Sequence, residues 1–545
     1  MSLSASGGAV VANASSLGDQ KEESEKGAEN ALRLHHVFGL KGDVKDNIQY
    51  VDESEVIYPS GRSVVAYNME KKTQRFIQSD PSGGLNRITA IALSNTANSK
   101  TKYFAVAETG DRAQIWVYDA ASHKRKIKAP LVCTEMASRE WVSLAFSPDG
   151  KQLLAQGGSP DWTLVNFQWE KGKPLQMAQV SNQTGASMYQ CSYCPMDPTC
   201  VCVTGHGILR FLRLEANAFK SIQFNMGKRE PQNFLCHAWL DDRVLVGTDS
   251  GELLLFDNGD FHGVLPSSPA NGKSIDSIAA YSKGFVCGCD EGVLHVFERD
   301  EKEAYKRSKS FQIESNLVRI KNLAIAPSED NVACTLENNQ AFVFSLSNTD
   351  ILKAEDMNFE PLAVSFHVGA ITGLDVCTRK PLMITCGSDR SVRLWNYVER
   401  TLELVKYFQD EPLTVAFHPS GLHLLVGFAD CLAFLNLLMD EMRVFKEFPV
   451  KNCWEVRFSH GGQYFAAANG SVVQLYATYN CEVIGNLRGH KAKIRSLFWT
   501  LDDASVVSSD AEGQVFEWRL KEGTHVQEFC AARTEITSAV VTHEG

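Results

Sequence analysis

The 545-residue chain has no run of about 18 consecutive apolar residues, so no membrane-spanning helix is expected. An excess of basic residues is also missing. The net charge of −11 argues against a nucleic-acid binder, because such binding draws most of its affinity from neutralising phosphates. No apolar signal-peptide core precedes the 15 cysteines, which are odd in number and scattered along alternating segments. Reduced, mostly buried thiols in a cytosolic compartment are the expectation. HExxH, a GxSxG elbow, a kinase-like set and a helically framed carboxylate pair are all missing, so neither catalysis nor a cofactor is expected. Heptad repeats of a coiled coil are lacking as well.

What the chain does have is a repeated sheet module. The clearest copy runs from Phe366 to Tyr397, where ITGLDV, PLMITCG and SVRLWNY read as three successive strands. Turn-prone Gly, Asp, Ser and Lys-Pro separate them. His367 heads the unit, and Asp389 lies six residues before Trp395. That pattern is the WD-repeat signature and implies a four-stranded blade of a β-propeller. Buried imidazole and indole N–H groups need partners, so His367, Asp389 and Trp395 are expected to form a polar cluster that staples the blade.

With Trp395 as marker, equivalent strand ends recur at Tyr67, Tyr118, Trp169, Leu212, Phe256, Phe297, Phe344, Leu435, Tyr476 and Trp518. The spacing is about 40 to 51 residues, the period of propeller blades. The second-best copy begins at Gly489-His490 and ends at Trp518, with Glu512 in the place of Asp389 and therefore a looser cluster. The other copies must rely on apolar packing between sheets.

The fold class expected is all-β, with tandem WD-repeat propellers. Residues 1–30, rich in Ala, Ser, Gly, Glu and Lys, cannot offset their ordering entropy and are expected to be a disordered tail. Residues 31–350 hold seven markers, enough for a closed seven-bladed ring that starts at HHVFGL, and 351–365 reads as a linker. Residues 366–545 supply about four blades and an opening strand, EITSAVVTHEG, so the second ring is incomplete within this chain. Further chain, or strands from a partner, is expected to complete it.

Three segments invite a chemical reading. Cys191 to His206 has the spacing C-x2-C-x5-C-x-C-x3-H of a zinc cluster. Strand alternation, however, puts Cys191 and Cys194 on opposite faces and assigns the segment to two blade strands, so core thiols and no metal are expected. The same holds for Cys287 and Cys289. NGKS (271–274) resembles the tail of a phosphate-binding loop but precedes a strand, where no helix dipole is offered, and reads as a blade connection. HKRKIKAP (123–130) is the densest basic run and reads as a loop between the second and third blades. Its Lys124, Arg125, Lys126 and Lys128 are candidate contacts for an acidic surface. Trp162, in a tight inter-strand loop, is a candidate interface anchor if its indole is exposed, with packing on the neighbouring blade as the equal alternative.

Longer segments carry a more specific likeness. HHVFGLKGDVKDNIQYVDESEVIYPSGRSVVAYN, REPQNFLCHAWLDDRVLVGTDSGELLLF, RKPLMITCGSDRSVRLWNY and HPSGLHLLVGFADCLAFLNLLMDEMR resemble the cilia- and flagella-associated protein 57 family of WD-repeat axonemal proteins. The likeness runs from about residue 35 to the end. It implies two tandem propellers followed by a long coiled coil, in the axoneme of motile cilia. It also implies a non-enzymatic scaffold that helps to anchor inner-arm dyneins near the nexin–dynein regulatory region. Partners implied are inner-arm dynein subunits and regulatory-complex components, with tubulin as a further candidate, and neither nucleic acid nor membrane. The alternative reading is a substrate-recognition or adaptor subunit of a cytosolic complex, in ubiquitin ligation or trafficking.

Overall fold

The structure is a computed structural model. It describes residues 34–530 apart from 79–86, 95–100, 182–184, 267–272, 301–303, 314–317, 347–358, 364–365 and 523–524, and the single positions 217, 224, 227, 228, 230, 231 and 258. The expected tail, 1–30, and the expected opening strand, 535–545, lie outside these residues. Among the described residues no α-helix occurs, and all regular structure is antiparallel sheet with two short 3-10 turns. The fold is all-β, a series of antiparallel sheets of the blade-by-blade kind expected of tandem propellers.

Two compact units divide at Phe366/His367. In the unit from Leu34 to Phe366 seven sheets follow one another, six with four strands and the second with three. Third strands such as Leu253–Asp257 are buried along nearly their whole length, because each is covered on both faces by neighbouring sheets. An apolar cluster fills every junction between consecutive sheets. Val64 and Ile77 meet Phe104 and Trp116 between the first and second, for example, and Val286 and Leu294 meet Val332 and Phe344 between the sixth and seventh. The seventh sheet then meets the first through Ile48, Tyr50, Tyr58 and Val65 packed on Ala324, Ala333 and Ala341. A buried polar net reinforces that junction. Asn47 accepts from Asn322 Nδ2 at 3.0 Å and from Thr335 Oγ1 at 2.8 Å, and it donates to the Lys41 carbonyl at 3.0 Å. The ring closes on itself and leaves no sheet flank uncovered.

Four four-stranded sheets make up the unit that starts at His367, with three apolar clusters in the three junctions between them. Among the described residues the flank of its first sheet has no such cover: Ile371, Leu374 and Val376 of strand Ile371–Val376 are 45–50% exposed.

The strand pattern departs from the sequence reading at four places. HHVFGL forms no strand, and the first strand is only Gln49–Tyr50, since residues 41–47 bond to the second strand and to the seventh sheet instead. Trp169 is not the third-strand marker of its sheet. Phe167 is, paired with Leu153 as Tyr118 is with Phe104, while Trp169 begins a 3-10 turn and donates Nε1–H to the Gly150 carbonyl at 2.8 Å. The expected linker 351–365 contains strand Glu360–Ala363, the outer strand of the seventh sheet. Finally, HKRKIKAP is no free loop. The segment 123–131 lies along strand Gln114–Asp119 through bridges at Tyr118↔Arg125 and Ile115↔Leu131, and stands in for the missing fourth strand of the second sheet.

A further regularity escaped the sequence. In the 34–366 unit, the innermost strand of every sheet but the first carries an extra, unpaired residue at its second position: Thr89, Val142, Tyr189, Leu235, Asp276 and Lys321. Each is a β-bulge, which takes one side chain out of the in/out alternation of its strand.

Candidate functional site

Two blades of the 367–530 unit contain a buried polar cluster. In the first, His367 Nδ1 meets Asp389 Oδ1 at 2.9 Å. A carboxylate can only accept, so Nδ1 carries the proton and Nε2 accepts from Thr385 Oγ1 at 2.8 Å. Thr385 in turn accepts from Trp395 Nε1 at 2.9 Å, which completes a chain from turn to core. Ser391 Oγ donates to Asp389 at 2.8 Å, and the buried guanidinium of Arg393 reaches the same carboxylate at 3.3 Å. Burial alone would raise the Asp389 carboxyl. The hydrogen bonds from His367 and Ser391 outweigh it and hold the group well below the usual carboxylate range.

The last blade repeats the cluster with a different acid. His490 Nδ1 donates to Asp510 Oδ2 at 2.9 Å, His490 Nε2 accepts from Ser508 Oγ at 2.6 Å, and Trp518 Nε1 donates to Ser508 at 2.7 Å. Glu512, which the spacing places in this role, is exposed, and only its backbone N–H joins the cluster, donating to Asp510 at 3.0 Å. The reason is register. Asp510 pairs with Ile494 as Gly387 pairs with Ile371, so Asp510 occupies the strand-end position that Gly387 holds in the other blade. A Cβ at Gly387 would stand 2.7 Å from His367 Nδ1, so there the carboxylate has to come from the turn, two residues on. Where the strand end itself carries Asp, the turn acid is released to solvent. Asp510 is fully buried, so the cluster is no looser for the change. Burial lowers the His490 pKa, and Asp510 opposes that effect.

Thr385, Ser391, Arg393, Ser508 and Asp510 were missed in the sequence. One usable signal was there: a hydroxyl residue stands ten positions before Trp in both blades.

A third charged group ties sheets of the same unit together. Arg457 donates to Glu455 at 2.9 Å and to Asp375 at 3.3 Å, while Asp375 also accepts from the Phe417 backbone at 2.7 Å. Burial raises both carboxyls, that of Glu455 to about 6, with Arg457 acting against the rise. With one guanidinium shared between them, the two acids serve as a clamp across three sheets.

Among the described residues no group of three or more His, Cys, Asp or Glu is arranged to hold a metal. Cys191, Cys194 and Cys202 are buried in sheet junctions, and burial raises the Cys191 thiol to about 12. Cys287 and Cys289 are fully buried on one strand. Of NGKS, residues 271 and 272 lie outside the described residues; Lys273 pairs with Glu291, and Ser274 leads into strand Ile275–Tyr281.

Of the candidate contacts, Arg125 lies over the Trp116 ring at 4.2 Å and Lys126 pairs with Asp119 at 3.2 Å. Lys124 and Lys128 are exposed. Trp162 is half-buried against the cluster between the third and fourth sheets, so it is part of the packing rather than an exposed anchor.

The pattern of the WD domain, G-beta repeat family matches residues 360–396, the blade that holds the His367 cluster. That blade is a WD repeat. The chain is 37% identical over 93% of its length to cilia- and flagella-associated protein 57 of Mus musculus, covering 44% of that protein. It is 32% identical over 89% to cilia- and flagella-associated protein 57 A of Tetrahymena thermophila, covering 42%, and 25% identical over 92% to the C form, covering 45%. The likeness read from the long segments is therefore the one these relatives show. The chain spans less than half the length of each of them.

Proposed function

We propose that this protein is a non-enzymatic scaffold of the axoneme in motile cilia or flagella, and that it helps to anchor inner-arm dyneins near the nexin–dynein regulatory region. The observation that carries the reading is the 37% identity to a cilia- and flagella-associated protein across 93% of the chain. A physical consideration supports it. The charged side chains that the fold buries are engaged in holding strands and sheets together, as in the His367, His490 and Arg457 groups, and a closed ring of sheets offers loops and edges on a stiff frame. Partners on this reading are inner-arm dynein subunits and regulatory-complex components.

The test is fractionation of detergent-opened cilia. The protein is expected to stay with the axoneme and to leave together with inner-arm components on salt extraction. Recovery in the soluble cell body with ligase or coat subunits would favour the adaptor reading instead.

A further inference from the structure

Outermost strands of the two units differ in charge. In the 34–366 unit the six outer strands and the 123–131 segment carry ten Lys and Arg against two acids, Asp260 and Glu360. The four outer strands of the other unit carry four Lys and Arg (in TLELVKY, MRVFKEF and VIGNLR) against three Glu. A chain of net charge −11 thus gathers cations on the outer strands of one unit. Three of them, Lys126, Lys220 and Lys306, are paired with Asp119, Glu215 and Asp300 beside those strands.

Guarding of exposed edges explains part of this, since charged side chains, Lys above all, keep edge strands from pairing with other chains. Edge protection does not require a single sign, however. The outer strands of the 367–530 unit are also exposed, and mixed charges guard them.

Geometry adds a second observation. Lys124 is exposed just before the first bridge of the 123–131 segment and Lys128 where the segment leaves the sheet between its two bridges, neither with an ion-pair partner among the described residues. Arg75 and Lys173 continue the charge on the outer strands of the adjoining first and third sheets, and Arg307 and Lys309 carry it on the sixth.

We propose that the outer rim of the 34–366 unit is a docking surface for an acidic polypeptide segment, one rich in Glu and Asp. The cations are spread along strand edges, which suits an extended chain of carboxylates that can meet them one at a time. A duplex or single-stranded nucleic acid fits less well. The exposed cations of the rim lack interleaved exposed aromatics for base stacking, and the overall negative field opposes a dense polyanion. The inference stands apart from the axonemal reading and can fail without it.

The experiment titrates the whole chain against a fluorescent poly-glutamate peptide, followed by anisotropy. Binding is expected at about 50 mM salt and should be largely lost at about 300 mM, where screening shortens the reach of each charge. Lys124→Glu/Lys128→Glu and Arg307→Glu/Lys309→Glu are each expected to weaken it about tenfold while leaving the circular dichroism of the sheets unchanged. The control Arg488→Glu/Lys491→Glu, on the other unit, should change it less than about twofold. Three results would overturn the proposal: no binding at low salt, an equal loss from the control, or equal affinity for a DNA oligonucleotide of the same charge.

Discussion

The two units solve the same problem, holding four-stranded sheets side by side, by different means. The 34–366 unit has a core at every junction and returns to its own start, so each sheet is held from both sides. In the 367–530 unit the first sheet is held from one side, and there the His–carboxylate–hydroxyl–Trp chain staples the strands of one blade to each other. A second chain does the same in the fourth sheet. No such chain within a single sheet occurs among the described residues of the closed unit. Its His237 instead bonds Ser192 of a neighbouring sheet at 2.6 Å and Thr204 at 3.0 Å. Where neighbours supply cohesion, a blade does not need its own staple.

Substitutions can sharpen this contrast. The largest effect is expected from Asp510→Ala, which strips a fully buried imidazole of its partner. We expect the 367–530 unit to lose about 3 kcal/mol, read as faster hydrogen exchange in its peptides with the 34–366 unit unchanged. Uniform acceleration across both units would show that the units do not stabilise independently. Next is Asn47→Ala, which removes the acceptor of the Thr335 hydroxyl and the nearest acceptor of Asn322 Nδ2 at the closing junction, leaving Asn322 only bonds of 3.4 Å from that nitrogen. About 2 kcal/mol should be lost, this time from the 34–366 unit, by the same readout.

Acidification gives a smaller effect on the closed unit. Burial lowers the His237 pKa to about 3, with Lys45 adding to the shift, so the folded form stays neutral while the unfolded chain takes up a proton near pH 6.5. Stability is therefore full above that pH and falls as pH drops through it, by about 0.7 kcal/mol between pH 7 and pH 6 for this one group. His237→Gln should flatten that part of the profile of the urea midpoint against pH. An unaltered slope would put the proton uptake elsewhere. The smallest effect is expected from Glu512→Gln, under about 0.5 kcal/mol, because its side chain is exposed. A loss comparable to that of Asp510→Ala would restore Glu512 to the cluster.

Much of the fold was legible because third strands are buried on both faces, and a recurring large apolar residue at blade period marks them even where His, Asp and Trp are gone. The error at Trp169 was invisible for a related reason: a slide of two residues keeps the same face of a strand, so Phe167 and Trp169 fit the pattern equally. Strand Glu360–Ala363 hid in a segment that is short and contains Pro361, which only an outer edge tolerates. At the polar clusters the histidines and tryptophans could be read directly. The acid of the last blade could not, since the spacing rule assumes a glycine at the strand end and cannot foresee a side chain taking that place.

The bulged residues of the inner strands have a consequence for how such a ring can change. Thr89, Val142, Tyr189, Leu235, Asp276 and Lys321 share no chemistry, although their neighbours on either side are held to the buried pattern of the junctions. One position in each of these sheets is thereby only half-buried and lies outside the alternation that fixes its neighbours. Thr89, Val142, Tyr189 and Leu235 stand in no ion pair among the described residues, whereas Asp276 and Lys321 pair with each other at 3.6 Å. The ring can therefore acquire a new inner character at four of these positions by single steps and at the other two only by paired ones.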